Sequence, residues 1–195
     1  MDRRREIARE IARQYTVLSP EALEAFASIL VPFKFNAKTT VLKEGEVCNY
    51  MYFVVKGLIR QYYYKGRKQV TEHISSEGGM VICIESTFQH EPTRLIVETL
   101  EPSVLYGIPF DKLHQIASTS YELCKLLFAF LERSLIISQQ KADTIRFENA
   151  KERYARTLRD NPEIIRRAPL HHVASFLQMT PETLSRVRSM SFDED

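Results

Sequence analysis

The stretch TTVLKEGEVCNYMYFVVKGLIRQYYYKGRKQVTEHI, residues 39–74, is rich in Val, Ile, Tyr, Phe and Thr, which are enriched in β-strands. Turn signals interrupt it at KEGE, KG and YKGRK, and they predict two strands around Gly57. The segment RLIVETLEPSVLYGI, residues 94–108, adds two further strands. Short strands at this spacing predict an antiparallel sandwich or barrel over about residues 33–108.

Helical patterns flank the β-rich region on both sides. Residues 2–30 have a helical pattern that breaks at VLSPEALEAF, where Ser19 can cap a helix and Pro20 fits its first position. Residues 121–147 contain no proline or glycine and predict one helix, about 40 Å long at roughly 1.5 Å per residue. We therefore expect an α+β chain in which helices flank an antiparallel β-roll.

The predicted long helix has two apolar stripes, each repeating at steps of three to five residues. The first contains Leu123, Leu127, Phe130, Ser134, Ile137, Lys141 and Thr144, and the second contains Leu126, Leu131 and Leu135. The β-region can cover one stripe, and nothing else in the chain is large enough to cover the other. We therefore expect a homodimer, with a helix buried wholly inside one chain as the alternative.

Several classes of function lack support in the sequence. Cys48, Cys83 and Cys124 lie far apart without a C-x-x-C motif, which indicates buried thiols rather than a metal site. The adjacent His171 and His172 would diverge by about 100° on a helix and cannot easily bind one metal ion. No nucleophile elbow, P-loop or dinucleotide-binding motif is present, so we do not expect an enzyme.

Without a signal peptide or an apolar run of about 20 residues, we expect a cytoplasmic protein that does not contact membranes.

The segment after the long helix is basic. Residues 149–190 contain eight Lys and Arg residues against four Asp and Glu residues, in a chain whose net charge is +2. Local positive charge permits nucleic-acid binding without proving it. Asp193, Glu194 and Asp195 cancel most of this charge and would repel phosphate.

The stretch FLQMTPETLSRVRS, residues 176–189, predicts the end of one helix, a tight turn and the start of another. Thr180 is a good N-cap and Pro181 suits the first helical position, which gives the spacing of a helix-turn-helix. Gln178 holds the turn position where positive φ is usual, at a cost of about 1 kcal/mol. The alternative is a helical hairpin with a solvated face. The second helix carries Glu182, Ser185, Arg186 and Ser189 on its outer face. In DNA-binding helix-turn-helix proteins, this is the face that the recognition helix presents to the major groove.

The order of N-terminal helices, β-roll, long helix and helix-turn-helix resembles the Crp/Fnr family of bacterial transcription regulators, and in particular its short, Bacteroidetes-type members. The most specific part is ENAKERYARTLRDNPEIIRRAPLHHVASFLQMTPETLSRVRS, residues 148–189, while VLKEGEVCNYMYFVVKGLIRQYY, residues 41–63, resembles the early β-roll. The resemblance implies a jelly-roll-like cyclic-nucleotide-binding fold and a homodimer formed through residues 121–147. It also implies binding to palindromic double-stranded DNA, and it allows RNA polymerase as a further partner.

The resemblance assigns the DNA contacts to TPETLSR. By this match Glu182 and Arg186 read bases, whereas Thr180 and Thr183 contact phosphates. Most family members continue into a β-wing, but this sequence stops seven residues after Arg188, so we expect no wing and a weaker, less salt-dependent affinity. The complete set of predicted DNA-binding residues is Thr180, Glu182, Thr183, Ser185, Arg186, Arg188 and Ser189.

The resemblance also implies an effector pocket in the β-roll. Cyclic-nucleotide binders of this fold carry Gly-Glu and, later, Arg-Ser or Arg-Thr, but here Ile84 precedes Glu85 and the later pair is reversed as Thr93-Arg94. If the segment is extended, this shift turns Arg94 to the opposite face, away from a bound phosphate, unless the loop QHEP, residues 89–92, absorbs the shift. We therefore expect a small-molecule effector other than a cyclic nucleotide, or none. The candidate effector-pocket residues are Glu85, Ser86, Thr87, Thr93, Arg94, Ser138 and Gln139.

These expectations divide the chain into three parts. Residues 1–118 would form the β-roll with its N-terminal helices, residues 119–148 the long dimerisation helix, and residues 149–195 the wingless helix-turn-helix domain. The main hypothesis is a dimeric transcription regulator. One alternative is a ligand-sensing module that no longer binds DNA usefully, and another keeps DNA binding but lacks the small-molecule switch.

Overall fold

The computed structural model describes the backbone of residues 3–192 and the side chains of residues 3–189. The helices are α1 (Arg3–Arg13), α2 (Pro20–Ile29), α3 (Ile84–Gln89), α4 (Phe110–Ala117), α5 (Tyr121–Phe147), α6 (Ala150–Asp160), α7 (Pro162–Arg167), α8 (Leu170–Phe176) and α9 (Pro181–Phe192). The strands are β1 (Val31–Phe35), β2 (Thr40–Leu42), β3 (Tyr50–Lys56), β4 (Ile59–Lys65), β5 (Lys68–Ser75), β6 (Met80–Val81), β7 (Ile96–Thr99) and β8 (Ser103–Pro109).

The strands form two four-stranded antiparallel sheets. One has the order β1-β8-β3-β6 and the other the order β2-β7-β4-β5. A buried apolar cluster joins the two sheets, because it contains Val54 and Leu105 of the first and Ile59 and Val97 of the second. The predicted α+β class, with an antiparallel β-roll and flanking helices, is confirmed.

A second core packs the N-terminal helices, α4 and the first half of α5 against the first sheet. It contains Phe26 of α2, Phe53 of β3, Leu113 of α4 and Leu126 of α5, all nearly inaccessible to solvent. The Ser19 hydroxyl caps α2 by accepting a hydrogen bond from the Ala22 amide at 3.3 Å, as the sequence predicted. This core fixes the start of α5 relative to the β-roll.

The β3–β4 turn requires glycine at position 57. Gly57 has φ +112°, and a Cβ atom there would lie 2.1 Å from the Ser103 hydroxyl oxygen. Its amide donates a 2.8 Å hydrogen bond to the Glu77 carboxylate. The turn thereby orients Glu77, which also contacts the C-terminal helices.

The α5 helix has the length predicted from the sequence, and one of its faces is left uncovered within the chain. Phe128 and Leu135 are 67% and 64% exposed, and Leu131 is 37% exposed. Leu126, which we assigned to the same stripe, is instead fully buried with Leu123. At about 100° per residue Leu126 lies roughly 60° from Leu123 but 140° from Leu131, so it belongs to the covered face. The uncovered face, called the open stripe below, consists of Cys124, Phe128, Leu131 and Leu135.

Helices α6 to α9 have their own small core. Tyr154, Val173, Leu177, Leu184 and Val187 are buried together in it. Helices α7 and α8 also pack on the second sheet, where Ile164 and the half-buried Phe176 meet Leu58 and Ile74. Within residues 3–192 no strand follows β8, so the described chain has no β-wing.

Among the helices that the structure describes, none has the length and apolar character needed to cross a membrane.

Candidate functional site

Helix α9 presents a polar face to solvent and an apolar face to α8. Leu184 and Val187 point inward and are almost completely buried. Thr180 caps the helix, since its hydroxyl accepts a hydrogen bond from the Thr183 amide at 3.2 Å. Thr183 is half-buried. The other predicted DNA-binding residues are exposed on the outer face: Thr180, Glu182, Ser185, Arg186, Arg188 and Ser189.

The turn between α8 and α9 has a defined geometry. Gln178 has φ +53°, the left-handed conformation that the sequence placed at this position. The Met179 amide donates to the Ala174 carbonyl at 2.9 Å, and the Arg153 guanidinium donates to the Leu177 carbonyl at 2.8 Å. Helix α6 therefore helps to fix the angle at which α9 leaves α8.

The charges on the face of α9 are available for an external partner. Arg153, Arg156, Arg159, Arg166 and Arg167 all form hydrogen bonds or ion pairs within the chain. By contrast, two arginines of α9 form no such contact with any described side chain, namely Arg186 and Arg188.

Glu182 lies in the first turn of α9. Its own backbone amide and the Thr180 hydroxyl donate hydrogen bonds to the carboxylate, which lowers the pKa of Glu182 below its ordinary value. Near neutral pH this side chain is thus an ionised acceptor, which suits contact with an amino donor such as that of cytosine.

A cavity of about 1430 Å³ lies between the β-roll, α5 and the C-terminal helices. Its wall includes Gln61 and His73 from the second sheet, Lys141 from α5 and Arg156 from α6. The Lys141 ammonium pairs with the Glu72 carboxylate and donates to the Glu72 carbonyl at 2.8 Å. A molecule in this cavity would contact all three parts of the chain.

The region predicted to be β-rich, residues 33–108, contains the short helix α3. Apart from Glu85, its first turn carries no helix-start signal, since Cys83 at the N-cap makes no side-chain capping bond, and the sequence pattern therefore missed it. Glu85 is exposed at the cavity, whereas Ser86 and Thr87 are buried. The Ser86 hydroxyl accepts from the Cys48 amide at 2.9 Å and donates to the Glu91 carbonyl at 2.6 Å.

Thr93 and Arg94, the two residues in reversed order, lie in different environments. Thr93 is buried, and its hydroxyl accepts a hydrogen bond from the Leu95 amide at 3.0 Å. Arg94 is exposed and lines the cavity, so the expectation that the reversed order turns it away from the ligand site is wrong, because residues 90–95 are not an extended strand. Ser138 of α5 also lines the cavity, while Gln139 does not. Of the seven effector-pocket candidates, Glu85, Ser86, Thr93, Arg94 and Ser138 thus meet at one cavity, and Thr87 and Gln139 lie outside its wall.

An ionic contact that the sequence did not reveal holds the C-terminal helices on the β-roll. Arg167 of α7 donates two hydrogen bonds to Glu77, of 2.7 and 3.0 Å, and also pairs with Glu101. This lowers the pKa of Glu77 to about 2. These groups are about 66 and 90 residues apart in sequence, so no local pattern could show their pairing.

Arg60 on β4 is buried beneath α8, with 1% of its surface exposed. Its guanidinium donates to Thr71 at 3.0 Å and to Glu98 at 2.8 Å, and lies 4.1 Å from the Tyr62 ring centre. His172 of α8 approaches the same guanidinium at 3.3 Å. Burial, and then the Arg60 charge, lower the pKa of His172 to about 4, so the imidazole is a neutral acceptor at pH 7.

In the part of the chain that the structure describes, no group of three or more His, Cys, Asp or Glu side chains could hold a metal ion.

Comparison with known proteins identifies the fold of the β-roll. Residues 32–120 match the family of cyclic nucleotide-binding domains. The β-roll has the fold of a cyclic nucleotide-binding domain. No curated protein matches the chain in sequence.

Three solved structures extend the likeness to most of the chain. FixK2 from Bradyrhizobium japonicum has a TM-score of 0.70 at 20% identity, covering 85% of this chain and 86% of its own. The catabolite activator protein of Thermus thermophilus has a TM-score of 0.57 at 19% identity, covering 95% of this chain and 87% of its own. The c-di-GMP-responsive regulator CLP of Xanthomonas campestris has a TM-score of 0.67 at 19% identity, covering 90% of this chain and 93% of its own. These similarities establish a shared fold.

Proposed function

We propose that the chain is a homodimeric DNA-binding transcription regulator of the Crp/Fnr type, whose β-roll senses an effector. The observation that carries this proposal is the outer face of α9, where Arg186 and Glu182 are exposed on a capped helix supported by α8. A helix held in this way can enter the major groove, and its arginine can pair with guanine while its glutamate accepts from cytosine.

The open stripe of α5 supports the dimer. Its residues recur at steps of four, three and four, which is the spacing of a coiled-coil seam. Pairing two copies along this stripe would bury the exposed Phe128 and Leu135 and would bring two α9 helices to one DNA duplex. A two-fold symmetric protein of this kind would bind a palindromic site.

The cavity supports control by an effector. A molecule bound there would touch α3, α5 and α6 together, so its affinity would depend on how the C-terminal helices sit on the β-roll. Preferential binding to one arrangement would shift the population toward it and change the spacing of the two α9 helices. Ile84 in place of glycine before Glu85 and the reversed order of Thr93 and Arg94 favour an effector other than a cyclic nucleotide, while Arg94 on the cavity wall can still pair with an anionic group.

Replacing Arg186 with alanine tests the base-reading role. We expect the variant to lose about 1–3 kcal/mol of affinity for a selected DNA site, or roughly 5- to 150-fold, with little change on unrelated DNA. Arg159→Ala is the matched control, since it removes the same charge from a side chain that is 70% exposed on α6. Equal affinity of Arg186→Ala and wild-type protein for the selected site would remove the base-reading role from α9.

The second candidate function is a ligand-sensing module without useful DNA binding. The absence of a wing among the described residues favours it, and so do the acidic Asp193, Glu194 and Asp195, which lie outside the described residues. Under this alternative, Arg186→Ala would leave dimerisation and ligand binding unchanged, and neither the variant nor the wild-type protein would prefer one DNA sequence to another.

A further inference from the structure

The turn between β4 and β5 carries a concentrated positive charge. Lys65, Arg67 and Lys68 occupy three of the four positions of KGRK, residues 65–68, and all three side chains are exposed. None of them forms an ion pair or a side-chain hydrogen bond with a described residue. These four residues are called the basic tip below. Its charge is available to a partner outside the chain.

The arrangement of these charges is unfavourable for the hairpin itself. Lys65 and Lys68 lie directly opposite each other in the register of β4 and β5, and like charges in such a cross-strand pair are destabilising. Residues 60–70 contain four Lys and Arg residues and no Asp or Glu that could offset the repulsion. A local conflict of this kind is typical of a position that serves a function rather than the fold.

The basic tip stands on an ordered base. Gly66 has φ +62°, and a positive φ at this position is what a two-residue hairpin turn needs. Behind the turn the Gln69 amide nitrogen donates a 3.1 Å hydrogen bond to the Tyr64 hydroxyl, and the Gln69 carbonyl oxygen accepts a 2.9 Å hydrogen bond from the buried Arg60 guanidinium. The cations are therefore presented at a defined place at the edge of the second sheet.

The same base joins the basic tip to the first helix of the helix-turn-helix. The His172 ring lies 3.3 Å from the Arg60 guanidinium that binds Gln69, while Phe176 packs in the apolar cluster that contains Ile74. The order of residues along α8 thus follows their order along β5. Helix α8 therefore begins beside the end of β5 that carries the basic tip.

This position relates the basic tip to DNA. In helix-turn-helix proteins the first helix crosses the DNA backbone while the second enters the major groove. Here α8 is the first helix, so cations beside its start lie where a phosphate backbone would pass. Phosphate contacts need only cations, which release counterions when they bind, whereas the centres of protein interfaces are depleted in lysine. The composition of the basic tip thus favours DNA over an acidic protein.

We propose that the basic tip is a second DNA contact, in which Lys65, Arg67 and Lys68 bind phosphates of the backbone next to the groove that α9 reads. This inference rests on the DNA-binding function proposed above. The contact carries no sequence information and supplies affinity and orientation. It would take over part of the backbone binding for which the described chain has no β-wing.

The test compares two triple variants of the full chain that lose the same charge. The tip variant changes three residues of the hairpin to glutamine: Lys65, Arg67 and Lys68. The control variant changes three exposed lysines on β1 and beside β2 to glutamine: Lys34, Lys38 and Lys43. Strand β2 lies at the edge of the second sheet opposite to β5, so the control charges are remote from α8.

Binding is measured by fluorescence anisotropy over a series of salt concentrations, on a selected duplex and on a duplex of mixed sequence. We expect the tip variant to bind both duplexes at least about tenfold more weakly at about 0.1 M salt, and the slope of log K against log salt to fall by about 2–3. The control variant should behave like wild-type protein. The urea midpoint of the tip variant should equal or exceed that of wild-type protein, because the opposed charges are gone.

The outcomes separate this contact from base reading by α9. A tip variant with wild-type affinity and salt slope overturns the proposal and leaves the charge to another class of partner, even if Arg186→Ala loses the selected sequence. Equal losses in the tip and control variants also overturn it, since net charge alone would then decide the affinity. A loss in the tip variant alone, with no effect of Arg186→Ala, supports the basic tip and contradicts base reading. Wild-type protein that binds neither duplex contradicts both proposals.

Discussion

Gln178 has a backbone conformation that its side chain disfavours. Its positive φ costs about 1 kcal/mol relative to glycine, while the side chain is exposed and no described contact depends on it. We therefore expect Gln178→Gly to raise the free energy of unfolding in urea by about 0.5–1 kcal/mol.

Gln115→Gly is the control for this change. Gln115 is also exposed, but it lies within α4, where glycine costs about 1 kcal/mol of stability. Opposite signs for the two substitutions would support the strained turn before α9. Destabilisation by both would mean that Gln178 makes a contribution beyond its backbone conformation.

His172 makes the contact between α8 and the β-roll sensitive to acid. Its pKa is lowered to about 4 in the folded chain, against about 6.5 in the unfolded chain, so the folded state binds fewer protons in this interval. The free energy of unfolding that the neutral His172 contributes is complete above pH 6.5. It is lost progressively as the pH falls through about 4. Glu77, whose pKa is lowered to about 2, adds a loss of its own that begins near its unfolded pKa of about 4.5 and does not depend on His172.

The check is the unfolding midpoint between pH 7 and pH 4, measured for wild-type protein and for His172→Gln. The glutamine carbonyl can still accept from Arg60 but cannot take up a proton, so we expect a smaller decline in the variant. A residual decline is expected from His73, whose pKa burial and Lys141 also lower to about 4. Identical profiles for the two proteins would contradict the role given to His172.

The helices of the C-terminal part depend on one arginine for their position on the sheet. Arg167 is 20% exposed and joins Glu77 and Glu101, two carboxylates of the β-roll. Arg167→Ala leaves both carboxylates without this partner, and charge-assisted hydrogen bonds of this kind contribute about 1–3 kcal/mol. We expect faster hydrogen exchange in β5 and α8, including the Thr71 amide that donates to Ser175 at 2.9 Å.

Arg166, the residue before Arg167, provides a matched control for Arg167→Ala. Arg166 is 72% exposed and pairs with Glu163 on the same helix, and such surface pairs contribute about 0–1 kcal/mol. Arg166→Ala should leave the exchange in β5 and α8 unchanged. If both alanine variants behave like wild-type protein, the packing of Ile164 and Phe176 and the polar contacts of α8 hold the two parts together without Arg167.

The α5 helix carries the prediction about assembly. Leu135→Glu places a carboxylate at the C-terminal end of the open stripe, where pairing would desolvate it, so we expect the variant to be a monomer by sedimentation equilibrium. Ile136→Glu makes the same aliphatic-to-acid change about 100° around the helix and should leave the dimer intact. A wild-type protein that sediments as a monomer at micromolar concentration would contradict the dimer directly.

At the scale of the whole molecule, the sequence predicted the elements better than their contacts. The strand-rich stretch 39–74, the proline- and glycine-free helix 121–147 and the Ser19 and Thr180 caps each follow from local chemistry, and the structure has each of them. Helix α3 was missed because its first turn has neither a capping side chain nor a clear apolar period.

The contacts that sequence reasoning missed join distant segments. The pairing of Arg167 with Glu77 and the contact of Arg60 with His172 depend on how the sheets and helices come together, which no local pattern records. For the effector cavity, the sequence indicated five residues of the wall but not the Lys141–Glu72 pair or His73. Local chemistry thus predicts elements and their exposed faces, whereas the enclosed site requires the tertiary structure.

Selection of random duplex DNA by the purified wild-type protein, followed by sequencing, tests the central claim most directly. The exposed face of α9 and the open stripe of α5 predict enrichment of a palindrome with half-sites about one helical turn apart. The same selection with Arg186→Ala should lose that sequence. If folded, dimeric wild-type protein enriches no sequence, α9 does not read DNA in the absence of an effector, and the claim that its exposed face suffices to read DNA is contradicted.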